Sequence, residues 1–406
     1  MEVKKGYKRT EIGVIPADWE AVPLGRLAGC FSGGTPSTVN PRYYGGEIAW
    51  ITSSDLNKRR IHGVRGRITA EGLANSSAKL VDKGTLLLAM YGATAGVCAV
   101  SEIQAAINQA VLAIVPRSAS TEFLFQQLLL LKERYIRSYT QGGQPNFSAE
   151  IVKSFLVSLP PLAEQKAIAE ALSDVDDLIA SLERLIAKKR DIKAATMGQL
   201  LTGRTRLPGF TGEWARKRLG EIADIISGGT PRTNEPSYWN GGIKWCTPSD
   251  ITRCARRYLT DTERTISRSG LKESGAALLP VGALLLCSRA TIGELKIAGT
   301  PISTNQGFKS LVCRPGTSNE FLYYKLLTMK QQMVERAFGS TFLEISTRNV
   351  FALEVAAPPI EEQTAIAAVL SDMDAEIEAL ESRLAKTRML KQGMMQELLT
   401  GRTRLV

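Results

Sequence analysis

The chain has 406 residues, of which 44% are hydrophobic and 22% charged, as is typical of a folded protein with two or more domains. Its net charge of +11 favours a polyanionic partner: nucleic acid, an acidic membrane or an acidic protein. No apolar run could span a membrane, and the amino terminus lacks the pattern of a secretory signal, so we expect a cytoplasmic protein without a membrane partner.

The cysteine and histidine content argues against a metal centre and against a disulfide framework. Six cysteines are scattered without a Cys-x-x-Cys pair, and His62 is the only histidine. Structural zinc sites need closely spaced ligands of these types. The pattern therefore predicts buried or idle thiols in a reducing compartment, and no metal site.

Residues 1–158 predict an α/β unit. β-type runs at 48–52, 86–90 and 110–115 are bounded by Gly- and Pro-rich turns, and a helix is expected near 121–140. Cations that could contact phosphates follow the turn at 53–55, namely Lys58, Arg59, Arg60 and Arg65. Candidates for reading base edges come later, namely Tyr91, Asn108, Gln109, Gln141, Gln144 and Asn146. Each could equally be a solvated loop residue, and the Asn-Gln pair could be a structural turn.

Residues 159–206 predict a long helix with a coiled-coil seam. Apolar residues recur at alternating steps of four and three, namely Ile168, Leu172, Val175, Ile179, Leu182 and Ile186. The helix would begin after the Pro-Pro pair at 160–161 and end near Gly203, a length of about 40 residues or roughly 60 Å.

The second half of the chain repeats the first. The octapeptide LLTGRTRL begins at Leu200 and again at Leu398, and ten of fifteen residues are identical between segments that begin at Pro160 and Pro358. The repeat predicts a second α/β unit at 207–357 and a second long helix at 358–406. The two helices should pair with each other, antiparallel.

The second α/β unit should have strands at 243–247, 284–287 and 310–313 and a helix at 319–336. Its DNA-contacting candidates are Arg232, Arg253, Arg256, Arg257, Arg289, Asn305, Gln306, Ser340 and Thr341. Each α/β unit carries a net charge of +6, so the basic excess lies in these two units. Positions that differ between the halves, such as Gln141, Gln144 and Arg289, are the better candidates for reading sequence, because two different DNA half-sites need two different surfaces.

Two repeated motifs are not required for the pairing of helices in a coiled coil. These are the Glu-Gln pairs near the helix starts and the Thr-Gly-Arg-Thr-Arg segments at the helix ends. We expect them on outward faces that dock protein partners, with the candidates Glu164, Gln165, Arg204, Arg206, Glu362, Gln363, Arg402 and Arg404.

Motifs for covalent chemistry are missing from the sequence. The Pro-Pro pairs lie among apolar residues, without the polar and aromatic neighbours of an adenine methyltransferase motif, and the GGTP turns at Gly33 and Gly228 lack the Lys-Ser/Thr of a P-loop. One histidine offers no nucleophile–base pair, and no clustered carboxylates with a lysine indicate a Mg²⁺ site. We expect no catalytic residue and no cofactor bound by this chain.

Taken together, these features resemble the specificity subunits of Type I restriction-modification enzymes over essentially the whole chain. The likeness is carried by YKRTEIGVIPADWEAVPLG near the amino terminus, ITAEGLANSSAKLV at 68–81, and PPLAEQKAIAEALSDVD with its copy. The resemblance implies two pseudo-symmetric α/β target recognition domains, 1–158 and 207–357, separated by two long antiparallel coiled-coil helices, 159–206 and 358–406. The loops at 142–145 and 339–342 align poorly, so carry-over to individual residues is least secure there.

The resemblance also implies the partners and the target. Double-stranded DNA would be read as two unlike half-sites separated by a fixed spacer, about one helical turn of DNA apart. Two modification subunits would supply S-adenosylmethionine and methylate adenine, and restriction subunits would use ATP and Mg²⁺. The alternative is a stand-alone bipartite DNA-binding regulator, or an antirestriction decoy, built on the same scaffold.

Overall fold

The computed structural model describes residues 4–139, 145–339 and 343–405. The chain divides into two compact units: unit 1 contains residues 1–183 and 382–406, and unit 2 contains residues 184–381. Both boundaries fall inside a long helix. Each long helix therefore contributes one half to each unit, so the four predicted segments regroup into two units.

The elements up to residue 200 are, in chain order, β1 (Tyr7–Thr10), β2 (Gly13–Pro16), β3 (Glu20–Pro23), α1 (Leu24–Leu27), β4 (Ala28–Ser32), β5 (Tyr44–Ile51), β6 (Arg60–Ile61), β7 (Arg67–Ile68), α2 (Ala70–Ala74), β8 (Lys79–Val81), β9 (Leu86–Ala89), β10 (Cys98–Ser101), β11 (Ala105–Ile107), β12 (Val111–Pro116), α3 (Thr121–Tyr139), α4 (Ala149–Lys153), β13 (Leu156–Leu159) and α5 (Leu162–Leu200).

The elements that follow are β14 (Ala215–Arg218), α6 (Leu219–Ile222), β15 (Ala223–Ser227), β16 (Trp239–Cys246), α7 (Pro248–Arg253), β17 (Tyr258–Leu259), β18 (Arg264–Ile266), α8 (Arg268–Lys272), β19 (Leu284–Leu286), β20 (Leu295–Ala298), β21 (Ile302–Thr304), β22 (Lys309–Cys313), α9 (Asn319–Leu327), α10 (Lys330–Glu335), α11 (Thr347–Phe351), β23 (Glu354–Ala357) and α12 (Ile360–Leu398). Short 3-10 turns lie at Pro41–Tyr43, Ser53–Lys58, Gly92–Thr94 and Pro236–Tyr238.

The two units repeat one sheet topology. Unit 1 has a five-stranded sheet in the order β4-β12-β9-β10-β6 and a four-stranded sheet in the order β7-β5-β11-β8. Unit 2 has the matching orders β15-β22-β19-β20-β17 and β18-β16-β21. Most neighbouring strands are antiparallel. The parallel pairs are β10 with β6 and β11 with β5 in unit 1, and β20 with β17 and β21 with β16 in unit 2. The predicted α/β class is therefore confirmed for both copies.

The central strand of each larger sheet is apolar along its length because both of its faces are covered. In β9, Leu86 and Leu88 join one core cluster, whereas Leu87 and Ala89 join another. This alternation follows from the two-residue period of a strand. Continuous apolar runs of this kind are expected wherever a strand is buried on both faces.

The predicted strands at 48–52, 86–90 and 110–115 correspond to β5, β9 and β12, and the predicted helix near 121–140 corresponds to α3. One helix prediction differs from the structure, because 319–336 contains two helices, α9 and α10. The hydroxyl of Thr328 donates to the carbonyl of Lys325 at 2.7 Å, a local bond that competes with the helical pattern at this break.

Within each unit the two long-helix halves pair antiparallel. In unit 1, Arg388 binds Glu183 at 2.6 Å and Lys391 binds Asp176 at 2.5 Å, so residue numbers rise on α5 as they fall on α12. In unit 2 the equivalent pairs are Arg190 with Glu381 and Lys193 with Asp374. Of the seam positions predicted in α5, Ile168, Leu172, Leu182 and Ile186 are buried, as are the repeated apolar residues Ile366, Leu370, Ile377 and Leu384 of α12.

The first glycine of each GGTP turn lies against the end of a neighbouring strand. A Cβ atom on Gly33 would stand 1.8 Å from the carbonyl oxygen of Ile107, and one on Gly228 would stand 2.0 Å from that of Asn305. Neither carbonyl oxygen can move away from the added Cβ atom unless the adjoining strand moves as well. The repeated Gly-Gly is therefore explained by close packing of backbone on backbone.

We predict that Gly33→Ala lowers the free energy of unfolding by about 1 to 3 kcal/mol, because the added methyl group overpacks a backbone contact. Gly63→Ala is the matched control, since a Cβ atom there would have no neighbour within 4 Å. Thermal unfolding of the full chain measures both variants. Equal melting temperatures for the two would contradict this explanation of the turn.

Candidate nucleic-acid interface

Each basic loop begins with the same capped turn. The carboxylate of Asp55 accepts hydrogen bonds from the backbone nitrogen and hydroxyl of Thr52, both at 2.9 Å. In unit 2, Asp250 accepts from the backbone nitrogen and hydroxyl of Thr247 at 2.8 and 2.7 Å. These bonds fix a short helical turn and thereby position the cations that follow it.

Two of the predicted phosphate-contacting arginines are bound within their own unit. Arg60 donates to both carboxylate oxygens of Glu122, at 2.7 and 2.5 Å, and to Glu102 at 3.2 Å. In unit 2, Arg257 donates to the hydroxyls of Tyr324 and Ser371. Both arginines attach the basic loop to the helices of their unit, so a phosphate would have to compete with these bonds.

The remaining cations of these loops differ in how freely they could meet a ligand. Arg59 forms an ion pair with Asp176 of α5 at 3.0 Å, and Arg253 is shared between Asp250 and Glu263. Lys58 is exposed, with Nζ 3.4 Å from a backbone carbonyl of its own loop. Three exposed arginines have no side-chain hydrogen bond or ion pair within the described part of the chain, namely Arg65, Arg232 and Arg256.

The repeated Asn-Gln pairs hold the GGTP turns in place. The side-chain oxygen of Asn108 accepts from the backbone nitrogen of Ala110 at 3.1 Å, and that of Gln109 accepts from the hydroxyl of Thr35 at 2.5 Å. In unit 2, Asn305 accepts from Gly307 and Gln306 from Thr230 in the same way. Of the two possibilities that the sequence left open, these contacts favour the structural turn.

Unlike side chains occupy one exposed turn that the units share. In unit 1, Tyr91 forms an isolated β-bridge with Asn146, and both residues are exposed. In unit 2, Arg289 forms the equivalent bridge with Glu344, and its Nε lies 2.7 Å from a carboxylate oxygen of that residue. The flanking candidates Gln141, Gln144, Ser340 and Thr341 lie outside the described residues.

Three residues at this turn were missed by sequence reasoning. Glu344 has the ion pair just described, and Lys309, although only 9% exposed, lies 3.7 Å from its other carboxylate oxygen. Phe338 is 72% exposed and exchanges two backbone hydrogen bonds of 3.0 Å with Glu344. Comparing the aligned halves for coordinated changes of charge would have pointed to Lys309 and Glu344.

The repeated glutamates do not face outward, which corrects the expectation from the sequence. Glu164 at the start of α5 is 1% exposed and accepts hydrogen bonds from the guanidinium of Arg404 at 2.6 and 2.8 Å and from the indole of Trp19 at 3.1 Å. Arg404 also binds Asp18, and its guanidinium lowers the pKa of that carboxyl.

Unit 2 contains the same buried pair. Glu362 at the start of α12 is 0% exposed, and Arg206 donates to both of its oxygens at 2.5 and 2.6 Å. The second arginine of each Thr-Gly-Arg-Thr-Arg segment therefore binds the glutamate that starts the other long helix. We call these two contacts, Glu164–Arg404 and Glu362–Arg206, the helix-end clamps.

The repeated glutamines are also buried, so they cannot present an outward docking face. Gln165 accepts from the backbone nitrogen of Ser120 and donates to the carbonyl of Pro160, both at 2.9 Å. Gln363 makes the equivalent bonds to Ser318 and Pro358. Of the eight partner-docking candidates, only Arg204 and Arg402 are exposed, and their docking role stays a prediction.

The described residues include no group of three or more His, Cys, Asp and Glu side chains that could hold a metal ion. Burial raises the pKa of the thiols of Cys98, Cys287 and Cys313 to about 12, so these thiols are protonated near neutral pH. No helix in the same part of the chain is long and apolar enough to cross a membrane.

Comparison with solved structures gives the class of fold. The structure of the Type I restriction-modification system S subunit from M. genitalium aligns with a TM-score of 0.62 at 14% identity, covering 98% of each chain. The model of the family described as Type I restriction modification DNA specificity domain matches residues 16–189 and again residues 211–386. The chain belongs to this family.

Two curated relatives come from Methanocaldococcus jannaschii. The Type I restriction enzyme MjaIX specificity subunit is 38% identical over 168 residues, which span 41% of this chain and 39% of that protein. The Type I restriction enzyme MjaVIII specificity subunit is 23% identical over 423 residues, covering 96% of this chain and 94% of that protein. The aligned region therefore spans less than half of the MjaIX subunit but nearly all of the MjaVIII subunit.

We predict that Arg404→Ala destabilises the protein by about 3 to 5 kcal/mol, because Glu164 would be left buried without its counter-charge. Arg402→Ala is the matched control in the same motif, since Arg402 is 65% exposed and lies 3.6 Å from Glu397. An exposed pair of this kind should contribute little. Chemical unfolding of both variants is the measurement, and similar losses from the two would refute the clamp.

Proposed function

We propose that this chain gives a Type I restriction-modification enzyme its DNA sequence specificity by reading a bipartite, asymmetric target. The observation that carries the proposal is the shared turn, where one fold presents Tyr91 with Asn146 in unit 1 and Arg289 with Glu344 in unit 2. Two copies of one scaffold would approach DNA in the same way. Unlike side chains at the same turn would then read unlike half-sites.

The charge distribution supports double-stranded DNA as the ligand. Each α/β unit carries a net charge of +6, while the two helical segments together contribute almost none of the total. Arg65, Arg232 and Arg256 are exposed and make no side-chain hydrogen bond or ion pair among the described residues, so they would neutralise phosphates without breaking such a bond. Such contacts would supply affinity, and the shared turn would supply selectivity.

The chemistry of the complex would belong to partner subunits. Two modification subunits would bring S-adenosylmethionine and methylate adenine, and restriction subunits would use ATP and Mg²⁺. This chain would contribute no catalytic group and bind none of these cofactors. Arg204 and Arg402, each exposed just beyond a long helix, are the remaining candidates for docking a partner.

The test is a map of adenine methylation across the genome in cells that express a cognate modification subunit, with and without this chain. We expect one bipartite, asymmetric motif to be methylated only when the chain is present. If methylation does not depend on the chain while the modification subunit is active with another specificity subunit, the proposal fails. The stand-alone DNA-binding regulator and the antirestriction decoy would then be the alternatives.

Arg256→Ala should weaken binding to specific and random DNA alike, because a phosphate contact carries no base preference. The slope of log affinity against log salt concentration should fall by about one. Arg314→Ala, which removes an exposed arginine paired with Asp224 in the same unit, is the control. Titration of fluorescent duplexes over a salt series measures both, and an unchanged slope for Arg256→Ala would exclude it from the interface.

A further inference from the structure

The shared turn differs between the units at three equivalent positions at once. Arg289, Lys309 and Glu344 of unit 2 correspond to Tyr91, Leu112 and Asn146 of unit 1, since Lys309 pairs with Ser227 as Leu112 pairs with Ser32. Unit 2 therefore places three charged groups where unit 1 has none. The coordinated change is confined to side chains, because the β-bridge that joins the two segments is present in both units.

The backbone beside the turn is also preserved. The nitrogen of Phe147 donates to the carbonyl of Met90 at 2.8 Å in unit 1, and the nitrogen of Ile345 donates to the carbonyl of Ser288 at 3.0 Å in unit 2. A scaffold that is kept while its charges change is the pattern expected of a specificity determinant, since register on the DNA is retained while the read-out varies.

The carboxylate of Glu344 is held between two cations. Its Oε2 lies 2.7 Å from Arg289 Nε, and its Oε1 lies 3.7 Å from Lys309 Nζ. The Lys309 ammonium is itself fixed by a hydrogen bond of 3.2 Å to the hydroxyl of Ser227. Glu344 thus has little freedom to move away, and the net charge of the three groups is positive, which suits an approach to DNA.

The contact with Glu344 orients Arg289 but engages only its Nε atom. Its side chain is 44% exposed, and neither Nη1 nor Nη2 makes a hydrogen bond to any described residue. One edge of the guanidinium therefore faces Glu344, while no described residue occupies the donors on the fork of the two Nη groups. That fork matches the paired acceptors O6 and N7 of guanine in the major groove. A carboxylate that restrains arginine rotamers lowers the entropy lost on binding.

We propose that Arg289 reads a guanine in the half-site bound by unit 2 and that Glu344, supported by Lys309, is the residue that positions it. The inference rests on the proposed function and deepens it by naming one base. Tyr91 and Asn146 offer no guanidinium at the equivalent turn, so the half-site bound by unit 1 has no guanine read in this way.

The test is selection of bound duplexes from a randomised library by the purified full-length chain, followed by sequencing. Wild type should enrich two half-sites, one of which contains the guanine. Arg289→Lys keeps the positive charge but lacks the fork, so preference for that guanine should fall roughly 5- to 150-fold while total DNA affinity stays within about threefold. Glu344→Gln should reduce the same preference, and Glu344→Asp should retain part of it.

Arg314→Ala again serves as the matched control, because it removes an exposed arginine–carboxylate pair of the same unit and should leave both half-sites unchanged. Thermal unfolding of each variant separates lost reading from lost folding. The double variant Tyr91→Arg/Asn146→Glu adds an independent arm, in which the other half-site should gain preference for guanine.

The outcomes distinguish the inference from the proposed function. If wild type enriches no sequence, the proposed function fails and the inference fails with it. If wild type enriches two half-sites but Arg289→Lys leaves every base preference intact, only the inference is overturned, and Arg289 is at most a phosphate contact. If Glu344→Gln lowered base preference equally at all positions of both half-sites, Glu344 would be a purely structural residue.

Discussion

Each unit depends on a buried charge pair that joins the start of one long helix to the segment after the other. The clamp partners are 240 residues apart in unit 1 and 156 residues apart in unit 2. A carboxylate with no solvent contact is stable only beside its counter-charge, so neither partner can leave without a large cost. This mutual requirement explains why the Glu-Gln and Thr-Gly-Arg-Thr-Arg motifs are repeated together along the chain.

The clamps also determine what the long helices do. Because each helix begins in one unit and ends in the other, it packs into both apolar cores: Ile168 and Leu172 join the core of unit 1, and Leu200 and Leu201 that of unit 2. The α/β part of each unit is fixed to these helices by Arg59, which binds Asp176 of α5, or by Arg257, which binds Ser371 of α12, as well as by apolar contact. Within each unit, the exposed turn is therefore carried on a packed support, which is the arrangement expected of a loop that binds a ligand.

The two units share one set of residues and differ in another. Those that build the scaffold are the same in both units, such as the capping aspartates, the GGTP glycines and the Asn-Gln turns. Those at the shared turn differ, and they differ together, since the ion pair of Glu344 needs Arg289 and the burial of Lys309 needs Glu344. Electrostatic coupling of this kind makes single substitutions there costly, so such a site changes as a group.

The sequence alone determined the duplication, the α/β class, the two long helices and the position of the basic excess, because repeats, apolar periodicity and charge are local properties of the chain. It also identified Arg289 as a divergent position. It could not show that Glu164 and Glu362 are buried, since their ionic partners are more than 150 residues away and a charged residue near a helix start usually faces water. Only the tertiary structure decided which cations are bound internally, as Arg60 and Arg257 are, and which remain available to a ligand, as Arg256 does. That difference depends on contacts between segments far apart in sequence, which no local pattern records.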